Sequence, residues 1–145
     1  MSNETLHGII VAEVFFMVNG EDFESRKELG EKGEKAAAAF LENRGIEILD
    51  MNWKCSYGEA DIVAIDGETL VFCEVKTRRS TAAGIPEEAV TPAKQKRYTK
   101  IARVYSSRTR RRFASIRFDV IAIYAFSQSQ ALLRYIRNAF DAIEV

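Results

Sequence analysis

The dipeptide Asp66-Gly67 constrains this chain more than any other pair of residues. It divides residues 58–78 into two β-rich runs. Both of its residues tolerate positive φ, so the pattern predicts a hairpin closed by a type I′ turn with Asp66-Gly67 as a two-residue loop. Counting outward from that loop places Ile65 opposite Glu68, Asp61 opposite Phe72 and Glu59 opposite Glu74. Side chains alternate along a strand. Ile62, Ala64, Val71, Cys73 and Val75 therefore form an apolar face. Asp61, Glu74 and Lys76 share the other face with Val63, Leu70 and Phe72. An acidic face that also carries large apolar residues predicts a sheet covered on both sides, with its acids collected at one end.

In that register Asp61 and Glu74 are diagonal neighbours, roughly 7–8 Å apart at the backbone, close enough for both carboxylates to reach one cation. Adjacent carboxylates repel unless a positive charge lies between them. Mg²⁺ suits such a pair, because it takes one or two protein carboxylates together with waters and phosphate oxygens. Lys76, two residues beyond Glu74, is placed to orient or deprotonate an attacking water or to neutralise a phosphate.

At 145 residues, one domain is expected, with an ordinary globular balance of 47% hydrophobic and 29% charged residues. The formal net charge is zero but segregated: residues 1–50 carry 11 acids against 5 bases, while residues 94–117 carry 10 bases and no acid. A polyanion-binding surface is one reading of that asymmetry, and a solvated basic helix and loop is another. Cys55 and Cys73 form neither a disulfide framework nor a zinc pattern, which points to a reducing cytoplasm. The first basic residue is Arg26, so a signal peptide is not expected. The apolar run 9–18 is too short to span a membrane and contains Glu13.

Residues 1–24 read as an N-terminal extension preceding a domain over 25–145. Within the extension, 8–18 is β-rich and Asn19-Gly20 signals a turn, but no partner strand follows. A dimerisation strand, a lid and an extension from a misassigned start all remain open for it. Ser25-Arg26-Lys27-Glu28 is a capping box opening a helix to about Asn43, stopped by Gly45. Ala36, Ala37, Phe40 and Leu41 mark its buried stripe, and Glu34 borders that stripe. A strand is expected over 46–53, with 54–57 linking it to the hairpin. Residues 78–86 are small, polar and basic and read as a loop. Thr91-Pro92 opens a second helix with Thr as N-cap. Tyr98, Ile101, Ala102 and Tyr105 form its packed face, with Lys96, Lys100 and Arg103 opposed. Lys94 stands in the first turn, where the helix dipole disfavours a cation, so a phosphate or carboxylate partner is expected. Residues 108–112 read as a basic loop, 116–124 and 131–136 as strands. Asp119 has two readings, a structural role at a strand edge or support of the acidic site. The order α-β-β-β-α-β-β predicts a mixed central sheet flanked by helices.

Asp61 followed by Glu74-Val75-Lys76 resembles the core motif of the PD-(D/E)XK nuclease superfamily. Longer strings occur in order: Gly33-Glu34-Lys35-Ala36-Ala37, Gly58-Glu59-Ala60-Asp61-Ile62, Val71 to Arg78, Pro92-Ala93-Lys94-Gln95-Lys96-Arg97 and Arg117-Phe118-Asp119-Val120. Together they resemble the YraN-like family of small bacterial proteins, whose layout is similar to that of archaeal Holliday junction resolvases. The resemblance covers about residues 28–143. It implies a restriction-endonuclease-like fold over 25–145 and a metal-dependent endonuclease acting on DNA, branched or damaged DNA included, with RNA left open. It implies Mg²⁺, with Mn²⁺ as a substitute, held by Asp61, Glu74, the Val75 carbonyl and Glu34. Lys76 would act on the nucleophile, and Arg78, Lys94, Lys96, Arg97 and Lys100 would hold the phosphate backbone. A homodimer cutting both strands is compatible with the resemblance, as is a nucleic-acid-binding module that keeps the fold without cleaving. A partner-binding protein whose basic surface meets the acidic half of a second copy is a further reading.

Overall fold

The computed structural model describes residues 9–15, 25–79, 90–127 and 129–142, and the backbone alone of residues 3–6. Among these the elements run β1 (Asn3–Leu6), β2 (Ile9–Phe15), α1 (Arg26–Asn43), β3 (Glu47–Cys55), β4 (Gly58–Asp66), β5 (Thr69–Arg79), α2 (Pro92–Arg108), β6 (Ser115–Ala125) and β7 (Gln130–Phe140). The seven expected elements thus occur in the expected order, preceded by two strands. All seven strands form one mixed sheet in the order β1-β2-β7-β6-β5-β4-β3. The pair β5–β6 is parallel and is bridged by α2, as a parallel pair requires a crossover. The fold is the α/β, restriction-endonuclease-like sheet anticipated above. Among the described residues no helix is long and apolar enough to cross a membrane.

The helix ends follow their sequence signals. Ser25 Oγ accepts from the Glu28 N–H at 3.2 Å, and Thr91 Oγ1 accepts from the Lys94 N–H at 3.2 Å. Each bond satisfies a first-turn donor that has no partner within its helix. α1 covers one face of the sheet: Ala37, Phe40 and Leu41 pack with Ile62, Ala64, Val71, Cys73, Ile121 and Ile123. α2 covers the other: Tyr98, Ile101, Ala102 and Tyr105 pack with Val63, Leu70, Phe72, Phe118 and Phe140. β5 is therefore buried on both faces, which explains its near-continuous apolar run. Ala36 lies half-buried at the margin of the α1 stripe, whose fourth fully buried position is Gly33. A Cβ on Gly33 would stand 1.7 Å from Thr77 Oγ1. Glycine at this position is what lets α1, and Glu34 with it, lie directly on β5.

Four expectations need correction. The hairpin turn is Gly67-Glu68, not Asp66-Gly67: Asp66 pairs with Thr69, Val63 with Phe72 and Ile62 with Cys73. Positive φ occurs at Gly67 alone (61°), as in a II′ turn with glycine at its first loop position. The register moves by two residues, an even number, so every side chain keeps its expected face. β7 is longer than 131–136, running to Phe140 through Asn138 at φ 53° and a register shift on β6 between Phe118 and Val120. Arg78 and Arg79 continue β5 rather than opening a loop, and residues 80–89 lie outside the described residues. β2 does have partners, β1 before it and β7 at the far end of the chain. Its Ile10, Ala12 and Val14 are buried in the α1-side core. The Asn19-Gly20 turn lies outside the described residues.

Candidate metal and nucleic-acid site

The β4–β5 ladder ends at Ile62–Cys73. One step further the register would set Asp61 opposite Glu74. Instead the strands part, and Asp61 Oδ2 accepts the Val75 N–H at 2.8 Å. The carboxylate thus stands in the gap between two strands. Burial raises its pKa to about 7; the Val75 hydrogen bond opposes the rise, while Glu34, Glu74 and Glu59 add to it.

Glu74 points to the α2 side of the sheet and is 8% exposed. Its Oε1 pairs with Lys94 Nζ at 2.8 Å, with Arg97 at 4.0 Å. Its Oε2 is buried and has no hydrogen-bond partner among the described residues. The carboxylate partner expected for Lys94 is therefore Glu74 itself, and this lysine reaches inward from the first turn of α2. Lys76 follows on the same face of β5 and is half-buried.

Glu34 approaches from α1, on the other side of the sheet. Asn52 Nδ2 donates to Glu34 Oε2 at 2.6 Å. Asn52 holds φ at 51°, a left-handed conformation that asparagine adopts more readily than most residues. Burial raises the Glu34 pKa; the Asn52 bond lowers it, and Glu59 and Glu31 raise it further.

Asp61, Glu74 and Glu34 are thus brought to one end of the sheet. Among the described residues, no three acidic, histidine or cysteine side chains lie close enough together to hold a metal ion. What the chain presents is a pair of hard-oxygen carboxylates on separating strands, one with an unpartnered buried oxygen. That donor set fits Mg²⁺, which needs only one or two protein carboxylates. Of the other basic residues, Arg78 and Lys96 are exposed, Arg97 lies beside Glu74, and Lys100 lies over the Tyr57 ring at 5.3 Å.

The family profile described as "Uncharacterised protein family UPF0102" matches residues 33–123, from the close-packed glycine of α1 into β6. A UPF0102 protein of Geotalea daltonii is 44% identical over 124 residues, covering 86% of this chain and 98% of its own length. One from Geobacter sulfurreducens is 47% identical over 122 residues, covering 84% and 95%. The chain belongs to the UPF0102, or YraN-like, family. The UPF0102 match takes in Glu34, Asp61, Glu74, Lys76 and Lys94.

Sequence reasoning missed two features. Asn52 carried no signal, because its partner Glu34 is 18 residues away on another element. Asp119 is not at a strand edge: it is fully buried and held by four hydrogen bonds. Arg117 donates to both its oxygens at 2.9 and 3.0 Å, the Tyr135 hydroxyl to Oδ2 at 2.5 Å, and the Asn138 N–H to Oδ1 at 2.8 Å. Arg117 also pairs with Asp66 at 2.9 Å, so this cluster ties the hairpin end to β6 and β7.

Proposed function

We propose that this chain is a Mg²⁺-dependent endonuclease that hydrolyses phosphodiester bonds in DNA, with branched or damaged DNA among its substrates. The observation that carries the reading is the Asp61–Glu74 pair at the end of the β4–β5 ladder. A buried carboxylate with an unpartnered oxygen beside a half-buried one pushed toward neutrality makes a poor structural element and a good pair of cation ligands.

Asp61 and Glu74 would hold the ion. In an extended strand a residue's N–H and C=O leave on the same side, so the Val75 carbonyl opens toward Asp61 and can join them. Glu34, oriented by Asn52, would bind directly or through water. The bound ion would polarise a phosphoryl oxygen and acidify a water. Lys76 would position or activate that water. Arg78, Lys96, Arg97 and Lys100 would contact phosphates, which makes binding salt-sensitive and largely independent of sequence. Lys94 would exchange Glu74 for a phosphate as substrate arrives.

One observation favours a second reading, a nucleic-acid-binding module that does not cleave: the Lys94 ammonium already neutralises Glu74 at 2.8 Å. Calorimetric titration of Mn²⁺ into the wild type and into Glu74→Ala tests the proposal. Heat in the wild type that disappears in the variant is the expected result, followed by cleavage in a screen of branched, flapped and single-stranded DNA. Tight DNA binding with every substrate uncut in Mg²⁺ and Mn²⁺ would replace the endonuclease with the silent module.

A further inference from the structure

We infer that the face of α2 turned toward the β3–β4 hairpin is a track for a single, unpaired nucleic-acid strand leading away from Glu74. The inference rests on the endonuclease reading and names a substrate class for it: nucleic acid with an unpaired strand beside the scissile phosphate.

Arg97, Lys100 and Arg108 are separated by three and eight residues, which returns each to one side of the helix. Each lies on the β3–β4 hairpin. The Arg97 side chain crosses Gly58, its Cδ 3.1 Å from where a Cβ would stand, and its guanidinium reaches Glu74 at 4.0 Å. The Lys100 ammonium is 5.3 Å from the Tyr57 ring centre, and the Arg108 guanidinium is 5.8 Å from that of Trp53. Tyr57 forms the hairpin tip and is 48% exposed. The two cation–aromatic pairs keep step along the surface. Tyr57 stands in the turn one position beyond the Cys55–Gly58 pair, which is three strand rises or about 10 Å from Trp53. Lys100 to Arg108 is eight helix residues, about 12 Å. At ~3.4 Å per stacked nucleotide this length accommodates about three nucleotides. The track begins at the candidate metal site, because Arg97 touches both Gly58 and Glu74.

Charge and chemistry select the occupant. Residues 94–117 contain no acid, so α2 favours a polyanion along its whole length. The β3 carboxylates are engaged elsewhere: Asp50 accepts from the Tyr105 hydroxyl at 2.7 Å, and Arg111 holds Glu47 at 3.3 Å. A duplex offers phosphates to such a surface but keeps its base faces stacked inside. An unpaired strand offers both phosphates for the cations and base faces for the rings. Alternating cations and aromatic rings is how single-strand binders obtain affinity without reading sequence. An acidic peptide would use the cations but gain nothing selective from Tyr57.

The test uses the full chain without divalent metal, so that cleavage plays no part. A labelled oligothymidylate and a duplex of equal length are titrated, following anisotropy and the emission of Trp53, the single tryptophan of the chain. The oligothymidylate should bind at least ~10-fold more tightly than the duplex and change Trp53 emission. Tyr57→Ala should weaken the single strand ~10-fold and leave the duplex unchanged, since stacking contributes about 1–3 kcal/mol per base. Tyr57→Phe, which keeps the ring, should retain wild-type binding, and Lys100→Gln should weaken both forms. Duplex binding as tight as single-strand binding, or equal losses on both forms in Tyr57→Ala, would overturn this inference alone. Binding of an acidic peptide with no nucleic acid bound would overturn the endonuclease reading as well.

Discussion

Asp119 and Glu74 lie on adjacent strands, one position apart in the β5–β6 register, at 0% and 8% exposure. Their surroundings differ in kind. Asp119 accepts four hydrogen bonds that engage both oxygens, two of them from a single guanidinium. Glu74 has one close cation on Oε1 and nothing among the described residues on Oε2. A buried carboxylate is tolerated when its lone pairs are filled and is costly when they are not. The first arrangement stitches β6 and β7 to the hairpin. The second leaves capacity for a ligand, and Asp61 beside it repeats the pattern with one N–H and a pKa raised to about 7. Charge is used as a fastener on the α1 face of the sheet, where Asp119 meets Tyr135, and held in reserve on the α2 face, where Glu74 meets Lys94.

Removing the fastener should have the largest effect on stability. Asp119→Ala leaves the half-buried Arg117 beside Tyr135 without its main partner and should cost about 3–5 kcal/mol in urea unfolding. Glu74→Ala frees Lys94, which is already a quarter exposed, and should cost less than about 1 kcal/mol. Equal costs for the two would break the comparison.

A pH series sharpens it. The folded pKa of Asp61 lies above its unfolded value, so between about pH 4 and 7 the folded state keeps a proton that the unfolded state releases. Stability should fall as pH rises through that window and level off above it, by roughly 2–4 kcal/mol. Asp61→Asn, neutral throughout, should lose that slope and exceed the wild type in stability at pH 8. A wild type with no slope beyond that of Asp61→Asn would place Asp61 in a fully solvated setting.

The smallest effect concerns the lysine on Glu74. Lys94→Met removes a competing cation while keeping the stem, and should tighten Mn²⁺ binding by calorimetry about 3–10-fold. Unchanged or weaker binding would mean that Lys94 does not compete for the carboxylate.

Much of this was legible in the sequence because it is local. The caps at Ser25 and Thr91 depend on residues three apart, and alternation alone assigned the faces of β4 and β5. The hairpin register was harder. Asp66-Gly67 signals positive φ at both positions, but Gly67 alone adopts it, and the loop slides to Gly67-Glu68. An even slip keeps the faces, so the pattern of apolar residues could not reveal it. The inward turn of Lys94, the Asn52–Glu34 bond and the Asp119 cluster join residues 16 to 20 positions apart on different elements, or reach across a register shift. No sequence period reports such meetings. β7 read as too short for the same reason, since Arg137 and Asn138 break the alternation while serving Asp66 and Asp119.

The seat of β2 has a consequence for synthesis. It lies between β1 and the last strand, with Ile9 facing Ile136 across the ladder, 127 positions apart. Translation proceeds at ~5–20 residues per second, so the strand bearing Ile10, Ala12 and Val14 waits on the order of 6–25 s on the ribosome before the strand it pairs with in the sheet exists. The central hairpin can close during that interval. The first strands to emerge are among the last to be housed, and a nascent chain halted before β7 displays an apolar ribbon to whatever chaperone or neighbour is at hand.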